Sequence, residues 1–293
     1  MEVVSVIMPC YNDGKYIEQA VASLRAQTYQ QNELIVVDDG SDDPHTIQTL
    51  HDLSFPRLKK IHMQHMGPAY ARNKGIAAAQ GSYILPLDAD DRIEPTYVEK
   101  AVRILDASRE TGIVYCQADF FGEKSGKWEL PPYSLKEMLA GNVIFASAMF
   151  RKADWEKAGG YNTAMKHGLE DYDFWLSLLG NGAQVYQIQE VLFHYRIKPV
   201  SRSSVMQKSL ERMQEAYCQV YINHKAFFDS HHELYAEALR EKAVRQAFEI
   251  ERMHDTLRLY EDRHVFLTLI KKMPGVRFIA RLVLHGRGSR EKG

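Results

Sequence analysis

In the first third of the chain, three apolar, β-branched runs each end in a cluster of polar side chains. The runs cover residues 3–8, 34–37 and 83–87, and the clusters are Tyr11-Asn12, Asp38-Asp39 and Asp88 to Asp91. Segments with helical periodicity separate the runs, an alternation that predicts an α/β domain with a mostly parallel sheet. Ligands of such sheets bind beyond the carboxyl ends of the strands, so the polar clusters predict where a functional site lies.

The remaining segments indicate that the α/β pattern continues to about residue 204 and that a helical region follows it. Strand-like runs cover 58–63, 113–116, 142–150 and 185–195, residues 120–133 form an exposed loop or hairpin, and a helix starts near Glu170. After about Ser204 helix-forming residues dominate. We therefore expect a main α/β domain over 1–204, with two halves over 1–118 and 119–204, followed by a helical extension over 205–293.

The acids at Asp88 to Asp91 follow a strand predicted to be buried. Carboxylates placed together there repel one another and lose hydration, unless a cation neutralises them. Mg²⁺ and Mn²⁺ prefer oxygen ligands and often bind through one or two carboxylates plus substrate phosphates. Asp88 and Asp90 suit that role. The alternative is a helix cap and turn, where aspartate is also common.

The acids from Glu170 to Asp173 precede an apolar stripe of helical spacing that includes Phe174 and Trp175. Acids in a first helical turn stabilise the helix, which by itself explains their presence. The functional alternative is a general base, because a carboxylate held at a helix start is well fixed for proton transfer.

His194 ends an apolar strand, and Arg196 points to the same side if the strand continues. A lone histidine there is more often a structural residue than a metal ligand. Arg196 could offset the charge of a diphosphate. The segment 199–205, with Arg202, could close over a ligand as a lid, or could be a plain linker.

Taken together, these segments resemble family 2 of the inverting glycosyltransferases, which share the GT-A fold. The resemblance covers about residues 3–205, in the family's order and spacing. It is carried by SVIMPCYNDGKYIEQAVASLRAQTY, ELIVVDDGSDD, GPAYARNKGIAAAQGSYILPLDADD, GGYN, EDYDFWLSLL and FHYR.

The resemblance implies that 1–204 is the catalytic domain, with a nucleotide-binding half over 1–118 and an acceptor half over 119–204. It places a nucleotide site at the carboxyl end of the sheet. Pro9 and Tyr11 would line the nucleobase pocket, with the ring of Tyr11 against the base. Asp39 would hydrogen-bond the base, typically uracil. Arg72 would face the base or the phosphates, and Asp88 would lie near the ribose and the metal. Without the resemblance, Tyr11 and Arg72 would be read as a packing aromatic and a surface ion pair.

The resemblance also implies the chemistry. Asp90 would ligate the Mn²⁺ or Mg²⁺ ion that bridges the diphosphate, and His194 would complete its shell. Asp171, the second acid of the Glu170-Asp171 pair, would be the general base. Arg196 and Arg202 would contact the diphosphate or act in the lid.

The implied reaction is inverting transfer of a sugar, most simply from a UDP-hexose or UDP-N-acetylhexosamine, to a hydroxyl of a glycan or lipid-linked acceptor. The alternative is a catalytically inactive nucleotide-sugar-binding or scaffold protein of the same fold. A nucleotidyltransferase would need a Gly-rich phosphate loop near the first strand, and PCYNDGKY is not one. An aspartyl phosphatase would carry its acids after the first strand, whereas DAD follows the fourth.

Charge distribution bears on location and partners. The formal net charge is -1, yet Lys271 to Lys292 carries seven Lys or Arg against one acid, mixed with apolar residues. Such a tail could bind an anionic membrane surface, or could pack on the domain. Nucleic-acid binding is not expected, because the basic residues are not spread over the folded body. With no signal-like segment and three scattered cysteines, we expect a cytoplasmic protein, peripheral on the inner membrane face if the tail binds.

Overall fold

The computed structural model describes residues 2–199, 201 and 208–272, and side chains as far as Tyr260. This chain divides into two compact units, one ending at Tyr235 and one beginning at Ala236. The predicted domain boundary at 204–205, Arg202 and the tail beyond Lys272 lie outside the described residues. Among those residues, no helix has both the length and the apolar character of a membrane span.

The first unit is built on one mixed sheet, whose order is β3-β2-β1-β4-β8-β6-β9-β5, with β7 paired to β6. The pairs β1–β2, β1–β4, β2–β3 and β6–β9 are parallel and include most of the paired residues. The predicted α/β fold with a mostly parallel sheet is therefore confirmed. The strands are β1 (Val4–Cys10), β2 (Asn32–Asp38), β3 (Leu58–His62), β4 (Tyr83–Pro86), β5 (Arg92–Ile93), β6 (Thr111–Gly122), β7 (Gly126–Trp128), β8 (Met149–Arg151) and β9 (Gln184–Ile197).

Helices flank the sheet and supply the rest of the core, which includes the fully buried Tyr97, Phe174 and Trp175. Within 208–272, the described part of the predicted helical extension, the chain forms three helices. The helices are α1 (Gly14–Arg25), α2 (Pro44–Asp52), α3 (Pro68–Ala77), α4 (Tyr97–Ala107), α5 (Leu135–Ala140), α6 (Lys152–Ala158), α7 (Glu170–Gly180), α8 (Leu210–Asn223), α9 (Lys225–Ser230) and α10 (His232–Lys272). Both α8 and α9 belong to the first unit.

The strand predicted over 142–150 is wrong for most of its length, since only Met149–Arg151 forms β8. Side chains bind the backbone before it. Asn142 Oδ1 accepts the N–H of Ile144, and the indole of Trp175 donates to the carbonyl of Ile144. Because these bonds replace ladder bonds, the segment turns instead of extending.

Close packing of α3 on the sheet sets the position of the site. A Cβ on Gly75 would lie 2.5 Å from Cγ2 of Ile7 in β1, so only glycine allows this approach. Arg72 lies one turn earlier in α3 and is 3% exposed. The glycine thus holds the arginine at the carboxyl end of the central strands.

Candidate functional site

The loops that follow β1 and β2 are joined by Asn12. Its side-chain oxygen accepts the N–H groups of Asp42 and Asp43, each at 3.0 Å, and its amide donates to Asp42 Oδ1 at 2.7 Å. Asn12 has a φ of 57°, a left-handed conformation that asparagine tolerates better than most residues. The two predicted polar clusters therefore form one surface beyond the sheet.

The predicted nucleobase residues lie together on this surface. Pro9 pairs with Val37 in the sheet, and the ring of Tyr11 is 41% exposed. That ring stacks on His65, with 4.0 Å between ring centroids. Asp39 is buried, and its carboxylate accepts the N–H groups of Met66 and Gly67 at 2.8 and 2.9 Å.

These contacts give Asp39 a structural task that the sequence did not predict. Its carboxylate fixes the loop before α3, and His65 Nδ1 lies 3.0 Å from Asp39 Oδ2. His65 therefore joins the exposed ring of Tyr11 to the buried acid. A nucleobase that forms a hydrogen bond with Asp39 would therefore share this carboxylate with the N–H groups of the loop.

Arg72 is not a surface ion pair, the alternative that the sequence left open. Its two terminal nitrogens bind Asp88 Oδ1 at 2.8 Å and Glu170 Oε1 at 3.0 Å. The guanidinium also lies over the ring of Tyr161, 5.7 Å from its centroid. It thus connects the end of β4 to the start of α7, and Glu170 is 5% exposed in this pairing.

Lys198 is a second cation that contacts the acids after β4, and the sequence analysis did not identify it. Its ammonium lies 2.7 Å from Asp90 Oδ2 and 2.7 Å from Asp13 Oδ1. Burial raises the pKa of the Asp90 carboxyl, Lys198 opposes that shift, and Asp88 and Asp13 add to it. The carboxylates of Asp90 and Asp13 therefore share the single ammonium of Lys198.

Arg196 lies beside Asp90. Its Nε donates to the backbone carbonyl of Asp90 and its Nη2 to Gln19 Oε1, both at 2.7 Å. The guanidinium lies over the rings of Tyr16 and Phe121, 4.6 and 4.2 Å from their centroids. These contacts fix a positive charge next to the acids at the end of β4.

His194 lies in a different cluster from the one predicted. Nε2 lies 2.7 Å from Glu94 Oε1, and Nδ1 lies 2.5 Å from Asp119 Oδ1. The structure does not bring His194 into a metal shell with Asp90, because both ring nitrogens contact these carboxylates. Among the residues with described side chains, no three His, Cys, Asp or Glu are arranged to hold a metal.

Asp171 occupies the first turn of α7, as the sequence predicted. Its carboxylate accepts from Asn142 Nδ2 and from the N–H of Tyr172, each at 2.9 Å. Burial and the adjacent Glu170 raise the pKa of Asp171 to about 6, against the opposing effects of Arg72 and these hydrogen bonds. A carboxylate with this pKa is suited to accept a proton near neutral pH.

The two acids of the Glu170-Asp171 pair differ in their accessibility to solvent. Glu170 is buried against the guanidinium of Arg72, whereas Asp171 is half-buried. Asp173 binds Asn223 Nδ2 at 2.7 Å and His224 Nε2 at 3.1 Å, so it joins α7 to the helices that follow. Of the three acids, Asp171 is the one that is partly accessible.

The sequence contained a signal for one of the missed residues. His194 and Arg196 alternate along the end of β9, and Lys198 follows the strand directly at the same spacing of two residues. Extending the argument for Arg196 by two residues would have found Lys198. For His65 and Asn142, both in irregular segments, no periodic signal exists.

Comparison with known proteins bears on this site. The family model described as Glycosyl transferase family 2 matches residues 5–152. One relative is EpsH of Bacillus subtilis (strain 168), a protein named as a glycosyltransferase. It is 30% identical over 79% of this chain and 70% of its own length. TuaG of the same organism, named for teichuronic acid biosynthesis, is 30% identical over 74% of this chain and 88% of its own.

Solved structures of S. aureus TarS 1-349 share the fold. The complex with UDP-GlcNAc has a TM-score of 0.63 at 19% identity, over 75% of this chain and 66% of that chain. The complex with UDP has a TM-score of 0.59 at 21% identity, over 75% of this chain and 65% of that chain. This protein thus spans about two thirds of the TarS fragment. The family model covers β1, β2 and β4 with the loops that follow them, and this chain belongs to glycosyl transferase family 2.

Proposed function

We propose that this protein is an inverting glycosyltransferase that moves a sugar from a UDP-sugar to a hydroxyl of a glycan or lipid-linked acceptor. The observation that carries the proposal is the state of Asp171. It is a half-buried carboxylate with a raised pKa, held by two hydrogen bonds, at the same sheet end as the nucleotide loops. The name of TuaG supports a polymer or glycan acceptor, as does that of an Escherichia coli chondroitin synthase, which is 31% identical over 60% of this chain and 26% of its own length.

In the proposed reaction Asp171 accepts the proton of the acceptor hydroxyl as that oxygen attacks the anomeric carbon. The bond between this carbon and the diphosphate oxygen breaks, and its electron pair leaves with UDP. Attack opposite the leaving group inverts the anomeric configuration. Asn142 and the N–H of Tyr172 orient the carboxylate, and Arg72 holds Glu170 away from the proton transfer.

A UDP donor is supported by the solved neighbours, since the TarS fragment was crystallised with UDP and with UDP-GlcNAc. In this chain Tyr11 and His65 offer aromatic surface for the base, and Asp39 lies under them. We propose that the base stacks on this pair of rings.

The residues after β4 fit a divalent cation. Burial raises the pKa of Asp90, and nearby Asp88 and Asp13 raise it further, a cost that Mg²⁺ or Mn²⁺ would remove. We propose Asp90 and Asp88 as its protein ligands, with the diphosphate completing the coordination. When bound, the ion would neutralise charge on the leaving diphosphate. Lys198 and Arg196 place fixed positive charges at the same acids and would contact the diphosphate.

The test is calorimetric titration of UDP, GDP, CDP and dTDP, with Mn²⁺ and then with EDTA. The proposal expects metal-dependent binding of UDP that is lost in Asp90→Asn. Turnover is then followed by UDP release from UDP-glucose, UDP-galactose and their N-acetylated counterparts, with and without glycan acceptors. Metal-dependent binding without release from any donor would favour the inactive nucleotide-sugar-binding protein. Absence of binding by all four nucleotides would contradict the proposal.

A further inference from the structure

We propose that α10 forms a parallel two-stranded coiled coil with α10 of a second copy of this chain. The inference concerns only the second unit and does not depend on the proposed function. It rests on the spacing of exposed side chains along the described part of the helix.

The helix carries an exposed seam with alternating spacings of four and three residues. Its members are Leu239, Ala243, Gln246, Ile250, Met253, Leu257 and Tyr260, all of them exposed. Five of the seven are large apolar residues, and their exposed fractions range from 42% for Leu239 to 67% for Tyr260. Large apolar side chains that recur in this way are the a and d positions of a heptad pattern.

The period selects the kind of partner. Spacings of four and three average 3.5 residues, less than the 3.6 of a straight α-helix, so the seam stays in contact only with a helix that supercoils around it. A helix with the same seam supplies matching knobs and holes. In proteins most helical stability comes from packing of one apolar face, so the exposed seam of α10 calls for a partner that buries it. A second copy of α10 meets both requirements.

The charges beside the seam support a parallel, in-register pair. In that arrangement each g residue faces the e residue five positions later on the partner helix. Glu249 then lies opposite His254 of the second copy, an attractive contact when the histidine is protonated. Lys242 lies opposite Ala247, and Thr256 lies opposite a glutamate at 261. No like charges face each other in this set.

The same charges disfavour a lipid surface as the occupant of the seam. Between Leu239 and Tyr260 the helix has five Lys or Arg and four Asp or Glu, so it presents no strongly basic face to anionic headgroups. Further exposed apolar residues lie away from the seam, at Val244, Phe248 and Leu259. They are only three among the side chains that the structure describes, and the step of eleven positions from Phe248 to Leu259 leaves that face without a continuous apolar seam.

The chain offers a matched pair of leucines for the test. Leu257 lies on the seam and Leu259 lies off it, and they are 58% and 69% exposed. We expect the full-length protein to sediment at twice the mass of one chain, Leu257→Lys to sediment as a monomer, and Leu259→Lys to remain a dimer. Far-ultraviolet circular dichroism and urea denaturation of the full-length variants serve as folding controls. A monomeric wild type, or equal behaviour of the two variants, would overturn the proposal.

Cysteine cross-linking tests the orientation. Leu239→Cys, made in a Cys218→Ser background because Cys218 is exposed, places the thiol near one end of the seam. A parallel pair brings the two thiols together, and mild oxidation gives a covalent dimer. Phe248→Cys, on the opposite face of the helix, should stay monomeric on denaturing gels. Failure of the Leu239→Cys protein to cross-link, or binding of the wild type to phosphatidylserine vesicles that Leu257→Lys abolishes, would refute a parallel pair of copies.

Discussion

The ammonium of Lys198 lies 2.7 Å from Asp90 Oδ2, at the acid that we propose as a metal ligand. The same ammonium lies 2.7 Å from Asp13 Oδ1, so it bridges the loops after β1 and β4. Both Lys198 and Asp90 keep 16% of their side-chain surface exposed. A cation from the chain therefore occupies one oxygen of the acid that a divalent ion would use.

Competition between this ammonium and a divalent ion is the first prediction. Lys198→Met should bind Mn²⁺ about tenfold more tightly than the wild type in the absence of nucleotide, since roughly 1.4 kcal/mol of competition is removed. The free energy of unfolding of the metal-free variant should fall by about 2 kcal/mol, because Asp90 and Asp13 lose their partner. Calorimetric titration with Mn²⁺ and urea denaturation measure the two effects.

Lys225→Met is the matched control for this variant. Lys225 pairs with Asp229 at 2.5 Å on an exposed part of the first unit, so its replacement should change neither Mn²⁺ affinity nor stability appreciably. Equal Mn²⁺ affinities of Lys198→Met and the wild type would show that the ammonium does not compete with the ion.

Removal of the proposed base is the second prediction. Asp171→Asn should keep UDP binding while lowering kcat about 10²–10⁴-fold, because an amide cannot accept the proton of the acceptor hydroxyl. UDP titration and a UDP-release assay report the two properties separately. The control is Asp173→Asn, which weakens the contacts of α7 with Asn223 and His224. This variant should have a lower melting temperature and a kcat close to that of the wild type. Parallel loss of UDP binding and turnover in Asp171→Asn would indicate a structural role.

The acid limb of the pH profile is the third prediction. The pKa of Asp171 is raised to about 6, so kcat/KM should fall tenfold per pH unit below about 6 as the carboxylate gains a proton. The hydrogen bond from Asn142 lowers this pKa, and Asn142→Ala should therefore move the limb to higher pH. Profiles of kcat/KM for both proteins test the shift, and an unmoved limb would assign it to another group.

The buried ion pairs of Arg72 lead to the fourth prediction. Arg72→Met should lower the free energy of unfolding by about 3 kcal/mol, because Glu170 would remain buried without its cation. Adding Glu170→Gln should restore part of that loss, since it removes the uncompensated charge. Arg72→Lys keeps the positive charge but should still be less stable than the wild type. The reason is that an ammonium lacks the planar fork with which the guanidinium reaches both acids.

Urea denaturation of the single and double variants measures these differences. Arg103→Met is the control, because Arg103 pairs with Glu99 while 75% exposed and should contribute little. An Arg72→Met protein as stable as the wild type would contradict the bridging role.

Elements whose formation depends on local periodicity were predictable. The continuous apolar runs that became β1, β2 and β4 and the stripe in α7 needed only the pattern of neighbouring residues. The conformation of the segment before β8 was not predictable, since the Trp175 indole that donates to the Ile144 carbonyl belongs to a helix 31 residues later in the chain. The two-residue strand β5 is too short to give a pattern.

The sequence by itself determined the fold class, the family, and the set of acids at the carboxyl ends of the strands. It could not assign partners to those charges. Arg72 and Glu170 are 98 positions apart, Asp13 and Lys198 are 185 apart, and the sequence offers many other charges that could pair with each. Only the tertiary structure decided these pairs, because charge pairing depends on distance and burial in three dimensions, whereas secondary structure depends on near neighbours in the chain.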